Sequence, residues 1–456
     1  MPASPLSLTL AIALSTGILP AQEPPPGPVL TLSRAMERAL VHEARDLAAE
    51  AAFRAEREVL EQARSRLLPE VSANLGRTHN DLTAVVGETA AQTSYVSAGN
   101  SISLRQPLYR PERWASYQQA KAEVARLEAV LATARNRLHV SVASAYLELL
   151  RAAAEWQALQ AQQAALAGQA AAAARGVPLG LASASEREER AAQAELAALR
   201  ALQAEARLTE RRRELENMVG EPVTRLLAAE EDGEGLSRLA AGELRDWQDR
   251  AAEAAPEVRA ARAAVEVARE GVRVASAGHK PTLDLVAARS KSRSETFTAI
   301  DQTFYNSSVG VQLNVPLYGG GRTESTIRQA VARQERSEAE LQVALRDTAV
   351  LVEREHMTVR QAAQRLRAHA ALVRSARQGV LAARQGVARG THAQLEVLEA
   401  QGRLQAAQQE HAATVAELLA ARVRLQGLAG ELSVQALPEV ERVLVRPVQV
   451  PTLSTP

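Results

Sequence analysis

Apolar and polar positions alternate from Val309 to Leu317. Val309, Val311, Leu313, Val315 and Leu317 fall on one side and Gly310, Gln312, Asn314 and Pro316 on the other. A period of two predicts a strand with one oily and one wet face. Tyr318 and three glycines follow, and from Arg322 to Leu437 no proline interrupts a helical pattern. A short strand therefore feeds a helix far longer than globular domains use.

The junction occurs twice. Ile102 and Leu104 alternate with Ser101, Ser103 and Arg105 ahead of Pro107-Leu108-Tyr109, and Pro316-Leu317-Tyr318 repeats that tripeptide 209 residues later. Pro69 and Pro281 lie 212 apart, and Gly180 with Gly390 and Gly220 with Gly430 each lie 210 apart. The chain is two tandem copies of one unit of roughly 210 residues.

Read in order, the first copy has an alanine-rich helix Leu32–Leu68 ended by Pro69, a strand Val71–Leu75, a polar loop over 77–98, and the second strand. A helix from Pro111 to Arg175 follows, then a break at Gly176–Gly180 and a helix Ser185–Met218. The second copy repeats this with a helix Leu244–Ala277, a strand Leu283–Arg289, a polar loop to Asn306, the strand Val309–Leu317, and helices Arg322–Arg389 and Ala393–Leu428. The expected units are residues 22–230 and 231–437, linked by the glycine-containing stretch 231–242 and followed by a Pro-rich, extended tail at 438–456. A helix of about 65 residues is roughly 100 Å long. Alanine-dense rods of that length need partners, which predicts close-packed coiled coil.

Leu6–Pro20 is apolar, too short to span a bilayer, and followed by a Pro-rich segment, so residues 1–21 read as a signal peptide, although no Lys or Arg precedes the apolar core. Beyond it no run approaches the ~20 apolar residues of a membrane helix. Any membrane crossing must then use strands. Tyr95, Tyr109, Phe297, Phe304, Tyr305 and Tyr318 sit in or beside the four strand segments, as interfacial girdles would. Four strands cannot close a barrel, whereas three chains would supply twelve. The fold class expected is mainly α with a transmembrane β-barrel part: a trimeric α-barrel plus a 12-stranded β-barrel.

Composition narrows the chemistry. A formal net charge of +1 gives no basic field for nucleic acid, and the absence of cysteine excludes a disulfide framework, a zinc-thiolate site and a lipidated N-terminal cysteine. No phosphate-cradling loop, nucleophile elbow or HExxH motif appears. Gly319-Gly320-Gly321 lacks the Lys-Ser/Thr of a phosphate loop and reads as a strand-to-helix joint. Neither an enzyme, a cofactor nor a metal site is expected. Glu396 and Glu399 stand on one helical face after Gly390, and Glu186 and Glu189 occupy the same places after Gly180. Ser183-x-x-Glu186 and Thr391-x-x-Gln394 also fit a capping box, so these glutamates serve either a pore or a helix start.

Two copies of helix, strand, strand, P-L-Y, long helix, glycine break and helix, with the segments V-P-L-Y-G-G-G-R and G-T-H-A-Q-L-E-V-L-E-A, resemble the TolC-like outer membrane efflux protein family over residues 30 to 432. The resemblance implies an exit duct in the outer membrane with helices in the periplasm: a homotrimer in outer membrane lipid, docked through a periplasmic adaptor (membrane fusion) protein to an inner-membrane RND or ABC transporter. It also implies that Glu396 and Glu399, glutamates where aspartate is usual, line the closed periplasmic mouth, with Glu186 and Glu189 beside them. Val387 and His392 stand where the family's tip carries aromatic and basic locking residues. The hairpin ends far from the membrane, with Arg175, Gly176, Gly180, Arg389 and Gly390, are then the expected adaptor contacts. The rival from another class is a soluble or surface-attached coiled-coil scaffold, which has no use for four amphipathic strands.

Overall fold

The computed structural model describes residues 29–180, 182–229, 236, 242–296, 299–391, 393–432 and 438–451. The signal-peptide assignment, the link 231–242 apart from Leu236 and Gly242, Phe297 and His392 lie outside the described residues. The first copy consists of α1 (Leu32–His42), α2 (Ala44–Ser65), β1 (Glu70–Val86), β2 (Thr89–Tyr109), α3 (Pro111–Gly176), α4 (Ala184–Val219) and β3 (Arg225–Ala229). The second has α5 (Leu244–Ala254), α6 (Pro256–Ser276), β4 (Thr282–Thr296), β5 (Ala299–Asn314), α7 (Arg322–Ala388) and α8 (Gln394–Leu428), followed by α9 (Pro438–Glu441) and β6 (Leu444–Gln449).

Four antiparallel strands form one sheet in the order β1-β2-β4-β5, so the copies join through β2 and β4 and leave β1 and β5 as edges. Most of the two stretches expected to be polar loops is strand, with a turn at Gly87-Glu88. β1 and β2 pair from Glu70↔Arg105 to Val86↔Thr89, and β4 and β5 from Thr282↔Asn314 to Thr296↔Ala299. Residues 77–98 contain four Thr and three Val, which favour extended backbone, but polar side chains interrupt both faces and the period-two signal vanishes. At the other end β5 stops at Asn314, short of the expected Leu317, because Pro316 has no N–H to donate.

The expected single helix 32–68 is broken at Glu43, whose ψ of 115° is extended. The expected helix 244–277 is broken at Ala255, ψ 129°, because Pro256 clashes with a helical residue before it and serves instead as the first residue of α6.

α3 has 66 residues and α7 has 67, each about 100 Å long. α3 packs along α4 and α6, α7 along α8, and α3 touches α8, so the two hairpins lie side by side. Small residues make the seams: Ala197, Ala201 and Ala204 recur at three- and four-residue spacing and are buried on α4, as are Ala400 and Ala407 on α8. The broad core lies midway along the rods, where α1, α5 and the two-stranded sheet β3-β6 cross them. The Pro-rich tail is thus not simply extended: β6 pairs antiparallel with β3, and Leu30 bridges to Leu226 on the other edge. Tyr146 is wholly buried beneath this sheet. Its hydroxyl accepts the Leu227 N–H at 2.8 Å and has the carbonyls of Leu30 and Leu227 each at 3.0 Å to take its proton. Burial pushes that phenol well above its ordinary pKa.

Candidate functional site: sheet faces, barrel junction and helix tips

The sheet register assigns each strand residue to a face. Val71, Ala73 and Leu75 stand beside Leu104 and Ile102, and Leu283, Leu285 and Ala287 beside Leu313, Val311 and Val309. Leu104 pairs with Ala287, which merges these pairs into one apolar band crossing all four strands. Val71, Leu75, Ile102, Val309, Val311 and Leu313 in the band are all exposed in the single chain. The opposite face carries Ser72, Asn74, Ser101, Ser103, Asp284 and Gln312. Apolar outside and polar inside is the division a membrane barrel requires. Lys291 sits 5.3 Å from the ring of its pairing partner Tyr305 at the far end of the band. Among the described residues no helix is long and apolar enough to cross a membrane.

Where sheet meets rod, the polar face holds a cluster that sequence reasoning missed. Arg110, the residue before α3, donates from Nε to Asp284 Oδ1 at 2.8 Å, and its Nη2 meets Oδ2. Arg105 Nε adds a longer contact at 3.8 Å. Asp284 is only 3% exposed. A carboxylate inside the run Thr-Leu-Asp-Leu-Val was the one available signal, since a lone charge at an inward strand position needs a partner.

At the far ends of the rods the two tips are built alike. α3 ends in a turn Val177–Leu179, and Gly180 takes the left-handed conformation, φ 71°. Ser183 caps α4, its Oγ accepting the Glu186 N–H at 3.0 Å. In the second tip Gly390 is left-handed at φ 72°. There the cap is displaced from the expected Thr391: Thr391 N–H and Oγ1 both bond the Gly386 carbonyl, at 2.9 and 3.1 Å, closing α7 instead of opening α8. Ala393 is the N-cap, and Glu396 Oε1 reaches back to the Ala393 N–H at 3.2 Å. Alanine has no side-chain acceptor, so only this half of a capping box forms.

The candidate residues therefore separate. Glu396 has a structural task that Glu399, also exposed, does not share through that bond. In the first tip Glu186 and Glu189 are exposed, and Glu189 accepts from Gln193 at 3.2 Å. Arg389 bonds Gln385 through both its carbonyl and its side chain, each at 3.3 Å, satisfying the last turn of α7. Arg175 is exposed and makes no side-chain hydrogen bond or ion pair among the described residues, while Gly176 is buried at the turn. No cluster of three metal-ligating side chains occurs among the described residues.

A protein-family description, outer membrane efflux protein, matches residues 36–221 and 247–431, one segment per copy. The alkaline protease secretion protein AprF of Pseudomonas aeruginosa is 31% identical over 374 residues, spanning 81% of this chain and 78% of that protein. The proteases secretion protein PrtF of Dickeya chrysanthemi is 28% identical over 447 residues, spanning 95% and 93%. Among solved structures CusC superposes with a TM-score of 0.72 at 16% identity over 88% of this chain and 92% of that one. The outer membrane protein VceC of Vibrio cholerae gives 0.67 at 19% identity over 88% and 96%. These two likenesses concern the fold.

Proposed function

The chain belongs to the outer membrane efflux protein family, and from that premise we propose that it is a homotrimeric, passive exit duct whose cargo is secreted polypeptide. Membership makes it an outer-membrane channel of an efflux or type I secretion system, with its helical part in the periplasm, and not an enzyme. It works with an adaptor and an inner-membrane transporter. The coiled-coil scaffold alternative falls with that assignment.

The observation that carries the trimer is the pair of open edges. β1 and β5 present 17 and 16 residues of unpaired backbone, which no protein leaves exposed in a membrane. Twelve strands from three chains close the ring and enclose a polar lumen. Polypeptide cargo is favoured by AprF and PrtF, both of which are named for protease secretion. An ABC transporter then supplies the drive, and the wide duct leaves selection to it. The tips are the docking and closing end: Arg175, Gly176, Gly180, Arg389 and Gly390 meet the adaptor, and Glu396, Glu399, Glu186 and Glu189 ring the mouth.

The chain contains no cysteine, so pairs of introduced cysteines, one on β1 and one on β5 placed to face each other across the seam between neighbouring chains, test the assembly directly. Oxidation of outer membranes should give a ladder that stops at three chains, and the parent should open large, weakly selective conductances in planar bilayers. A ladder running past three chains, or a chain recovered soluble and monomeric, overturns the duct. Loss of a protease from the culture medium on deleting the gene, with drug tolerance unchanged, identifies the cargo.

A further inference from the structure

The outward face of β4 changes character along its length. Leu283, Leu285 and Ala287 belong to the apolar band, and the next three positions on the same face are Arg289, Lys291 and Arg293, with Ser290 and Ser292 between them on the lumen face. β4 begins beside the rods, so the cations stand toward its distal end. In register, Arg289 lies between Ile102 and Ser307, Lys291 between Asn100 and Tyr305, and Arg293 between Ala98 and Thr303. Ala98 also pairs with Arg77 of β1, so Arg77 flanks the stripe across one small side chain, about 10 Å from β4. All four cationic residues are exposed.

Their depth matters. Exposed Tyr109 pairs with Leu283 at the rod end of the band and exposed Tyr305 with Lys291 at the other, which marks the two interfacial levels. These rows are eight residues apart on β4, which is about 26 Å along the strand and less in height once it tilts, close to the span of a hydrocarbon band. Lys291 thus lies at the outer boundary and Arg289 one row inside it, about 7 Å along the strand. Neither Arg77 nor Arg289 makes a side-chain hydrogen bond or ion pair among the described residues. The Lys291 ammonium rests 5.3 Å from the centre of the Tyr305 ring, which offers no negative charge. Asp81, on the same face of β1, is paired with His79 at 3.5 Å, and Arg293 is engaged elsewhere, so neither enters the count. An arginine at the edge of lipid reaches outward with its guanidinium and needs an anion at the headgroup level. Phosphate is the anion a lipid surface presents there, and a guanidinium grips it with two parallel hydrogen bonds. We propose that Arg77, Arg289 and Lys291 bind the phosphate groups of an outer-leaflet lipid, whose acyl chains lie along the apolar band. The site rests on the closed barrel proposed above and stays on its outside when three chains assemble.

Native mass spectrometry of the full-length trimer in uncharged detergent tests it, with diphosphoryl lipid A as the probe and EDTA present so that no divalent cation bridges the phosphates. The parent should retain about one lipid per chain. Arg289→Gln with Lys291→Gln should weaken retention at least about tenfold, and Arg77→Gln alone at least about threefold, so the single variant decides if the double one does not assemble. Ser290→Gln with Ser292→Gln, on the lumen face of the same strand, should bind as the parent does. The same lipid stripped of its phosphates should bind at least about tenfold more weakly. Equal binding by the parent and either cation variant, equal binding with and without phosphate, or loss of binding in the serine variant overturns the site. Complete displacement by millimolar inorganic phosphate leaves a bare anion patch and overturns the lipid. Trimers are selected before their lipids are counted, so a chain that never trimerises fails the duct, whereas a trimer that retains no lipid fails this site alone.

Discussion

Arg110 and Asp284 are 174 residues apart in sequence and meet in a two-pronged ion pair at the point where sheet becomes rod, with Nε to Oδ1 at 2.8 Å. Arg110 opens the long helix of the first copy, and Asp284 lies near the start of the first strand of the second. The pair fixes the angle between a rod and a strand that is not its own neighbour in sequence.

Removing one partner strands the other in a largely desolvated place. Asp284→Asn keeps the shape and loses the charge, and it should cost about 1–3 kcal/mol, with Arg110→Ala costing a similar amount. The double variant should lose clearly less than the sum of the two. Heat resistance of the oligomer on unheated gels reads the effect; strictly additive losses would mean the two groups do not act together.

The two helix-ending glycines at the equivalent places, Gly220 and Gly430, should differ in what they tolerate. Both have left-handed φ, 74° and 69°, which costs any residue with a Cβ about 1–2 kcal/mol. At Gly430 a methyl would also overlap the Ala254 backbone carbonyl, whereas at Gly220 it meets the His42 ring, a side chain that can swing aside. Gly430→Ala should therefore be the more damaging in a thermal melt, and Gly180→Ala and Gly390→Ala, with open space around them, the mildest. Equal losses at all four would leave backbone strain as the only cost.

At the tips the cap and the charge can be separated. Glu396→Gln keeps an oxygen for the Ala393 N–H, so Glu396→Gln with Glu399→Gln should leave helix content unchanged and remove block by millimolar divalent cation on the tip side in single-channel recording. Block as strong as in the parent would make these glutamates helix-start residues only. Charge reversal of Arg175 and Arg389 should stop secretion while the trimer persists. Arg175→Glu alone should account for most of the loss, because Arg389 is engaged with Gln385.

Acid should weaken the middle of the rod through His139 on α3. Burial holds this imidazole below its ordinary pKa, against smaller opposing pulls from the Leu432 backbone and Asp46, while Arg135 pushes the same way as burial. The unfolded chain takes up the proton near pH 6.5 and the folded one resists, so this contribution is complete above about pH 6.5 and declines as pH falls toward the depressed folded value. His139→Leu should flatten that decline in urea titrations between pH 7 and pH 5. An unaltered slope would assign the acid sensitivity to other groups.

Period and punctuation made the long helices, the tips and the inward and outward parity of the strands legible in sequence. Gly180, Gly390 and Pro69 end elements whatever surrounds them. What stayed hidden depended on partners. Residues 77–98 are strand because another strand lies beside them, and Thr, Ser and Asn on both faces carry no signal of that. The Ala255 break was readable, since Pro256 announces it, but the matching break at Glu43 has no proline and follows from how α1 folds over the end of α4, His42 against Gly220. The second tip's cap moved because Thr391 found a better acceptor in the Gly386 carbonyl. Arg110 and Asp284 were individually visible, but only the fold brings them together.

The small sheet at the waist sets an order in time. β3 ends at Ala229 and cannot pair until Leu444–Gln449 arrives, by which point the whole second copy has been exported. Until then the edge of β3 that takes β6 stays open. The clasp thus registers completion: a chain cut short anywhere in its second copy leaves the waist unlatched, with an apolar strand edge open to periplasmic chaperones and proteases.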